Sequence, residues 1–270
     1  MLARLWLRGD ETVVDAGCGT GRLTAELARL LPRGRVLALD LSENMLRKAR
    51  EHFEQEGIKQ KGIETVGPGA SPGLRSTPAR SSTRAGALAR AQINLICAEL
   101  AALPFHQSVD GIFSTAAFHW VRDHDRLFHS LYAALKPGGW LEAQGGGGPN
   151  LARLRQRAGT LMSRHPYARY FAGWQPPQFY ADEVSTAARL RKAGFVGVVT
   201  SVEPAGFSLD NVPDYRQYLA TVTLHQHVAR ITDPALRERF LDDMVQLALA
   251  DSELHLDYWR LNLRGTKPRD

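Results

Sequence analysis

The chain has few cysteines and no long apolar stretch, and each absence excludes some classes of protein. Only two cysteines, Cys18 and Cys97, occur in 270 residues, which argues against a disulfide framework and favours a reducing compartment. No segment approaches the roughly 20 consecutive apolar residues that a membrane-spanning helix requires. The first ten residues lack an apolar region long enough for a signal peptide. We therefore expect a cytoplasmic protein with no membrane partner.

Positive charge is unevenly distributed along the chain. The formal net charge is +6, and six basic residues against one acidic residue lie between Lys59 and Arg90. A basic protein suggests nucleic acid as a partner. Because most of this excess falls within one segment of low complexity, we expect no nucleic-acid partner.

The most informative segment is Asp15–Gly21, which reads Asp-Ala-Gly-Cys-Gly-Thr-Gly. A short apolar run precedes it and a segment with helical periodicity, Arg22–Leu31, follows, so the pattern predicts a strand, a glycine turn and a helix. Glycines let the backbone turn sharply and approach a ligand closely. The Gly-x-Gly-x-Gly spacing is tighter than the Gly-x-Gly-x-x-Gly of dinucleotide sites, although a dinucleotide-binding unit remains the alternative.

A second acidic residue, Asp40, ends the next apolar run, Val36–Leu39. It follows Gly21 by about the 20 residues expected between a glycine turn and a ribose-binding carboxylate. Ser42 is the predicted N-cap of a helix that begins near Glu43. This order predicts a nucleoside site beside the glycine turn.

Together, Val13–Gly21 and Ala38–Leu46 closely resemble the class I S-adenosylmethionine (AdoMet)-dependent methyltransferases. The resemblance implies AdoMet as the cofactor and an α/β fold: a doubly wound, mainly parallel, seven-stranded Rossmann-like sheet with a helical cap. The first predicted strand begins at Thr12, whereas the family usually has a helical segment before it. Whether the cofactor site is covered, and the protein active, is therefore left open.

The alternation of strand and helix patterns agrees with a mainly parallel sheet. We predict a cofactor-binding core over residues 1–144, with a disordered insertion at about 60–91 that is rich in Gly, Pro and Ser. Residues 145–270 are predicted to supply cap helices and the last strands of the same sheet. The predicted strands are Thr12–Ala16, Arg35–Leu39, Ile93–Cys97, Val109–Ser114, Trp140–Gln144, Phe195–Val202 and Leu256–Leu263.

The resemblance also implies residue roles at the cofactor. Asp15 lies near the methionine end of AdoMet, the glycine turn forms the floor beneath it, and Asp40 accepts both ribose hydroxyls. Leu41 and Met45 pack on the adenine, and Glu99 stands where the family more often has an Asp near the adenine amine. The implied cofactor residues are Asp15, Gly17, Cys18, Gly19, Asp40, Leu41, Met45, Glu99, Leu100 and Thr115.

The segment Phe113–Val121 is the expected acceptor side. It lacks the Asn/Asp-Pro-Pro-Tyr/Phe motif of amino-methylating relatives, which argues against methylation of a nucleobase amine. Its Ala-Phe-His-Trp-Val sequence resembles small-molecule methyltransferases of the trans-aconitate group. We therefore expect methylation of a small, possibly anionic acceptor at a carboxylate or hydroxyl oxygen. A C-methyltransferase of quinone or lipid biosynthesis and a non-catalytic AdoMet-binding protein are the alternatives.

His119 and Trp120 are the candidate catalytic residues. A histidine titrates near neutral pH, so His119 could be a general base for a hydroxyl acceptor or a group that orients the acceptor. Trp120 could form a wall of the acceptor pocket or belong to the core. The sequence predicts no metal site and no particular oligomeric state.

A group of arginines after the fifth strand offers a further possible anion site. At helical spacing they cannot all face one way, so a solvated face is expected for most of them. The group comprises Arg153, Arg155, Arg157, Arg164 and Arg169.

Overall fold

The computed structural model describes residues 1–66, 92–251 and 254–269. Its main feature is an eight-stranded sheet in the order β3-β4-β2-β1-β5-β6-β10-β7. The strands are β1 Thr12–Ala16, β2 Arg35–Asp40, β3 Gln60–Thr65, β4 Gln92–Cys97, β5 Val109–Thr115, β6 Leu135–Gly146, β7 Val196–Pro204, β8 Phe207–Ser208, β9 His255–Leu256 and β10 Trp259–Thr266. The helices are α1 Arg22–Arg29, α2 Glu43–Gln55, α3 His124–Ala134, α4 Ala152–Met162, α5 Ala168–Phe171, α6 Glu183–Lys192, α7 Val212–Tyr218, α8 His225–Arg230 and α9 Pro234–Ala250.

The strands from β3 to β6 pair in parallel, as a doubly wound sheet requires. Strand β1 lies between β2 and β5, so the chain order reverses at β1. In open α/β sheets, ligands bind outside the carboxyl ends of the strands at such a switch point. The glycine turn after β1 and Asp40 at the end of β2 both lie at this edge. The predicted fold class is therefore confirmed.

Strand β3 differs from the prediction. Gln60–Thr65 pairs in parallel with β4 and makes an eighth strand, where we predicted seven strands and a disordered insertion starting at about residue 60. Most of its residues are exposed, because β3 is at the sheet edge. An edge strand with mostly exposed residues has no apolar run, so the sequence does not indicate it. Residues 67–91 of the predicted insertion lie outside the described residues.

The chain divides into two compact units. Unit 1 contains residues 1–145, 181–201 and 261–270, and unit 2 contains residues 146–180 and 202–260. In unit 1, fully buried side chains of β1, β2 and β4 pack with those of α1 and α2, including Val13, Leu27, Leu46 and Phe53. Because the central strands are buried on both faces, their sequences are near-continuous apolar runs.

Unit 2 has its own core. Helices α4, α5 and α7–α9 bury a cluster that includes Tyr215, Phe240 and Met244. The single predicted strand Leu256–Leu263 is replaced by two: β9 pairs antiparallel with β8, and β10 begins at Trp259. In the described part of the chain, no helix has the length and apolarity needed to cross a membrane.

Candidate cofactor and acceptor site

The glycine turn adopts backbone conformations that favour glycine. Gly17, Gly19 and Gly21 have φ values of 80°, 55° and 78°, in the region that L-residues rarely adopt. The N–H groups of Gly17 and Cys18 both donate to the Leu39 carbonyl at 2.8 Å. The turn is therefore held against the end of β2, at the residue before Asp40.

The Asp40 carboxylate is held on both sides by backbone donors. Oδ2 accepts from the Gly19 N–H and Oδ1 from the Ser42 N–H, each at 2.9 Å. Each carboxylate oxygen can accept a further hydrogen bond, and the side chain is only partly buried. Ser42, as predicted, caps α2 by accepting from the Met45 N–H. Asp40 is thus fixed in position and can still accept hydroxyl groups.

The surroundings of Asp40 fit a nucleoside. A Cβ built on Gly19 would meet no atom within 4 Å, so open space lies above the turn. Leu41 is 71% exposed although it is a large apolar residue, and Met45 is partly exposed near it in sequence. A flat base suits an apolar surface of this kind, and ribose hydroxyls suit a carboxylate that can still accept hydrogen bonds. These residues fit the ribose and adenine of AdoMet.

Asp15 lies deeper than Asp40. Its side chain is 2% exposed and accepts a hydrogen bond of 2.6 Å from the Thr24 hydroxyl. Burial raises the pKa of Asp15 to about 6; the Thr24 hydrogen bond opposes this effect and the Asp40 charge adds to it. The carboxyl can therefore change charge near neutral pH, which suits a partner that carries a positive amino group.

The thiol of Cys18 does not ionise readily. Burial and the charges of Asp15 and Asp40 raise its pKa well above the ordinary value. A neutral thiol offers no nucleophile or metal ligand. Cys18 therefore contributes to the turn through its backbone.

The end of β4 lies beside the end of β2. The Ala98 N–H donates to the Asp40 carbonyl at 3.2 Å, and the Cys97 thiol donates to the Leu41 carbonyl at 3.6 Å. Glu99 follows as an exposed residue, and Leu100 begins a short buried helical turn. The structure thus brings Glu99 and Leu100 to the edge that carries Asp40.

The end of β5 lies against the glycine turn. The Ser114 hydroxyl donates to the Ala16 carbonyl at 2.7 Å. A Cβ on Gly17 would be 2.2 Å from the Cβ of Ala117, so only a glycine allows this approach. Thr115, at the end of β5, and the residues after it are therefore adjacent to the turn.

His119 and Trp120 belong to a short helical turn, Phe118–Trp120. Their ring centroids are 5.3 Å apart, and His119 Nδ1 would be 3.3 Å from a Cβ on Gly145 at the end of β6. Trp120 is 41% exposed, so it is not a core residue. Both side chains lie in the segment that contacts the glycine turn.

His124 is a supporting residue that the sequence analysis did not identify. It is 4% exposed, and its Nε2 is 3.0 Å from the Phe118 carbonyl at the start of the His119 turn. Burial lowers its pKa, which favours a neutral ring. A histidine in the first turn of a helix does not by itself indicate such a contact, so the sequence did not predict it.

The arginines of α4 and α5 have separate environments in unit 2. Arg157 is buried and pairs with Asp251 at 2.7 Å, and Arg169 lies over the Tyr170 ring at 4.7 Å. Arg155 lies over the ring of Tyr180 at 5.1 Å. These three arginines thus have three different partners. The described residues contain no group of His, Cys, Asp and Glu side chains able to hold a metal ion.

Comparisons with known proteins show similarity to methyltransferases. Residues 14–141 match the family model described as a methyltransferase domain. A trans-aconitate 2-methyltransferase of Azoarcus sp. is 28% identical over 234 residues, covering 85% of this chain and 78% of that protein. A bifunctional biotin-biosynthesis protein of Teredinibacter turnerae is 30% identical over 151 residues, covering 54% of this chain.

A solved structure with the same fold is a phosphoethanolamine N-methyltransferase of Haemonchus contortus in complex with S-adenosylhomocysteine. It has 19% identity and a TM-score of 0.54, and the match covers 99% of this chain and 51% of that chain. The chain spans less than two thirds of several curated relatives: 21% of the Teredinibacter protein and 42% of a trans-aconitate 2-methyltransferase from Variovorax paradoxus.

The sheet order, the glycine turn and the fixed Asp40 define a Rossmann-like methyltransferase fold. The family match covers residues 14–141, and over that segment the chain is similar to class I S-adenosylmethionine-dependent methyltransferase domains. S-adenosyl-L-methionine is the cofactor of this class.

Proposed function

We propose that this protein transfers the methyl group of AdoMet to an oxygen atom of a small molecule, a carboxylate or a hydroxyl. The observation that carries the proposal is the contact of Gly17 with Ala117, because it sets the His119–Trp120 segment beside the glycine turn. The names of the curated relatives support a small acid as the acceptor.

AdoMet supplies an electrophilic methyl group on a positively charged sulfur. The residues of this chain would bind and orient it: Asp40 the ribose, Leu41 and Met45 the adenine, and Asp15 the amino-acid end. Cys18 and the flanking glycines would form the floor, with Glu99, Leu100 and Thr115 at neighbouring strand ends. Binding in this way leaves catalysis mainly to in-line positioning of the acceptor.

The role of His119 depends on the acceptor. A carboxylate is already an anion and needs no base, so His119 would orient it by a hydrogen bond. A hydroxyl must lose its proton during transfer, so His119 would act as the general base. Trp120, partly exposed and in ring contact with His119, would form a wall of the acceptor pocket.

The test is turnover of methyl-labelled AdoMet with a panel of small carboxylic acids and hydroxy acids. We expect a labelled product with at least one acid, and an ester product should lose its label in mild base. A label that is stable in base and attached to carbon would overturn oxygen transfer. AdoMet binding without turnover on any acid would indicate a non-catalytic binding protein.

The Asp40→Asn variant is the control for the cofactor site in this assay. It keeps the size of the side chain and removes its charge, so turnover should fall together with AdoMet affinity. The Glu43→Gln variant, which removes a nearby exposed carboxylate, should behave like the unmodified protein.

A further inference from the structure

Unit 2 contains a cluster of two arginines and two tyrosines that the glycine-turn site does not use. Arg155 of α4 lies 5.1 Å from the ring centroid of Tyr180, and Arg260 of β10 lies 5.0 Å from that of Tyr258. Both guanidinium groups act electrostatically on the Tyr180 hydroxyl, and Tyr180 acts on Tyr258. These four side chains therefore form one group, which we call the Tyr180 cluster.

A buried amide fixes the position of Tyr180. Asn150 is 2% exposed, and its Oδ1 accepts from the Trp259 N–H at 2.8 Å. The Asn150 side chain also hydrogen-bonds to the Tyr180 hydroxyl. A Cβ on Gly146 would lie 2.8 Å from Asn150 Nδ2 and 2.8 Å from the Tyr180 ring, so the absence of a side chain there makes room for this arrangement.

The second tyrosine, Tyr258, is held by a hydroxyl group and an aromatic ring. The Tyr258 hydroxyl lies 3.2 Å from the Tyr218 hydroxyl, and its ring stacks on Phe207 with centroids 5.8 Å apart. The cluster thus consists of two cations placed on aromatic rings that are themselves anchored. Rigid groups of this kind lose little conformational freedom when they bind a ligand.

Charge is unbalanced in the Tyr180 cluster. Within residues 1–66, 92–251 and 254–269, neither Arg155 nor Arg260 forms a salt bridge with a carboxylate, whereas Arg157 on the same helix pairs with Asp251. Two guanidinium groups near one hydroxyl repel each other, and an anion between them would remove that repulsion. Guanidinium groups bind oxyanions through paired N–H donors.

We propose that the Tyr180 cluster binds an oxyanion group of a small molecule, a carboxylate or a phosphate, through Arg155, Arg260 and the Tyr180 hydroxyl. This site lies within unit 2 and does not depend on the methyl transfer proposed above.

Calorimetry on the full chain with citrate, inorganic phosphate and uncharged triethyl citrate tests this directly. We expect binding of at least one of the two anions, and none of the neutral ester. Arg155→Gln and Arg260→Gln should each weaken anion binding at least tenfold. Binding of citrate alone would indicate a carboxylate, and binding of phosphate alone would indicate a phosphate ester. Failure of the unmodified chain to bind either anion would overturn the proposal.

Arg169→Gln is the matched control, because Arg169 also lies over a tyrosine ring in unit 2. It should change anion affinity less than twofold. An equal loss in this control would overturn the proposal, because a general charge effect would then explain the data. Arg155→Lys gives a second variant should a Gln variant not fold; it keeps the charge but not the planar donors, and should weaken binding by several-fold.

Discussion

The Thr24 hydroxyl donates a 2.6 Å hydrogen bond to the buried Asp15 carboxylate, joining the first turn of α1 to the end of β1. Burial nevertheless raises the pKa of Asp15 to about 6, from an ordinary value of 3.8. Because the pKa of Asp15 is higher in the folded protein than in the unfolded chain, protonation of Asp15 stabilises the fold. This contribution is complete below pH 3.8 and is lost as pH rises through 6.

The first prediction follows from this shift. Relative to Asp15→Asn, the unmodified protein should lose about 2 kcal/mol of unfolding free energy between pH 4 and pH 6.5. Urea unfolding of both proteins without AdoMet, at steps of half a pH unit, measures the difference. Thr24→Val should move the loss to higher pH, because it removes the bond that opposes the shift. A difference that does not change with pH would contradict the pKa argument.

The second prediction concerns Asp40. Asp40→Ala should weaken AdoMet binding by about 1.5–3 kcal/mol, the usual range for hydrogen bonds to a charged group. The Gly19 and Ser42 N–H groups that Asp40 accepts from are near the surface and can bind water, so the variant should still fold. Calorimetry on folded protein gives the affinity. Unchanged affinity in a folded variant would remove Asp40 from the cofactor site.

The third prediction separates two glycines of the same turn. Gly17→Ala should destabilise the fold by about 2–4 kcal/mol, because the new Cβ meets Ala117 at 2.2 Å and the backbone has φ 80°. Gly19→Ala should destabilise it by only about 1–2 kcal/mol, because its Cβ enters open space. That Cβ should instead reduce AdoMet affinity at least tenfold.

Thermal melts and calorimetry on both variants check this contrast. Adding Ala117→Gly to Gly17→Ala should restore part of the lost stability, since it removes the other half of the clash. If the double variant is no more stable than Gly17→Ala, the close approach of the two residues is not the cause of the loss.

The fourth prediction concerns His119. For a carboxylate acceptor, His119→Gln should keep much of the rate, because no proton is removed. For a hydroxyl acceptor the same change should lower the rate about 10²–10⁴-fold. The pH–rate profile distinguishes the two cases. A limb near pH 6–7 that disappears in a variant with intact AdoMet binding would refute the carboxylate acceptor.

The fifth prediction concerns His227 in the core of unit 2. It packs edge-on against Trp174 at 4.8 Å, and burial lowers its pKa to about 4 from 6.5. Its contribution to stability is therefore present above pH 6.5 and lost as pH falls toward 4, on the order of 3 kcal/mol. His227→Phe should remove this acid sensitivity, and urea unfolding from pH 7.5 to 4 measures it. His225→Gln, an exposed neighbour, should not remove it.

Much of the fold and the cofactor class could be predicted because both depend on local sequence. The strand before the glycine turn, the helix that Ser42 caps and the switch point at β1 all follow from patterns a few residues long. Strand β3 was not detected, because an exposed edge strand has no apolar periodicity. The short pairing of β8 with β9 spans only two residues on each strand, too few for any pattern.

The arrangement of the site could only partly be predicted. The sequence indicated Asp40 but not that Gly19 and Ser42 hold its carboxylate. It singled out several arginines without separating Arg155 from Arg157, because their partners Tyr180 and Asp251 are distant in the chain. The cofactor and acceptor roles of individual residues remain predictions until the variants are measured.

The two backbone bonds to Asp40 have a kinetic consequence. A carboxylate that already has its rotamer fixed does not need to be ordered when the ligand arrives, so little side-chain entropy is lost on association. Removing either restraint should therefore slow the formation of the complex less than it shortens its lifetime. Stopped-flow measurements on Ser42→Pro, which lacks the N–H that donates to Oδ1, should show faster release of AdoMet with a nearly unchanged association rate.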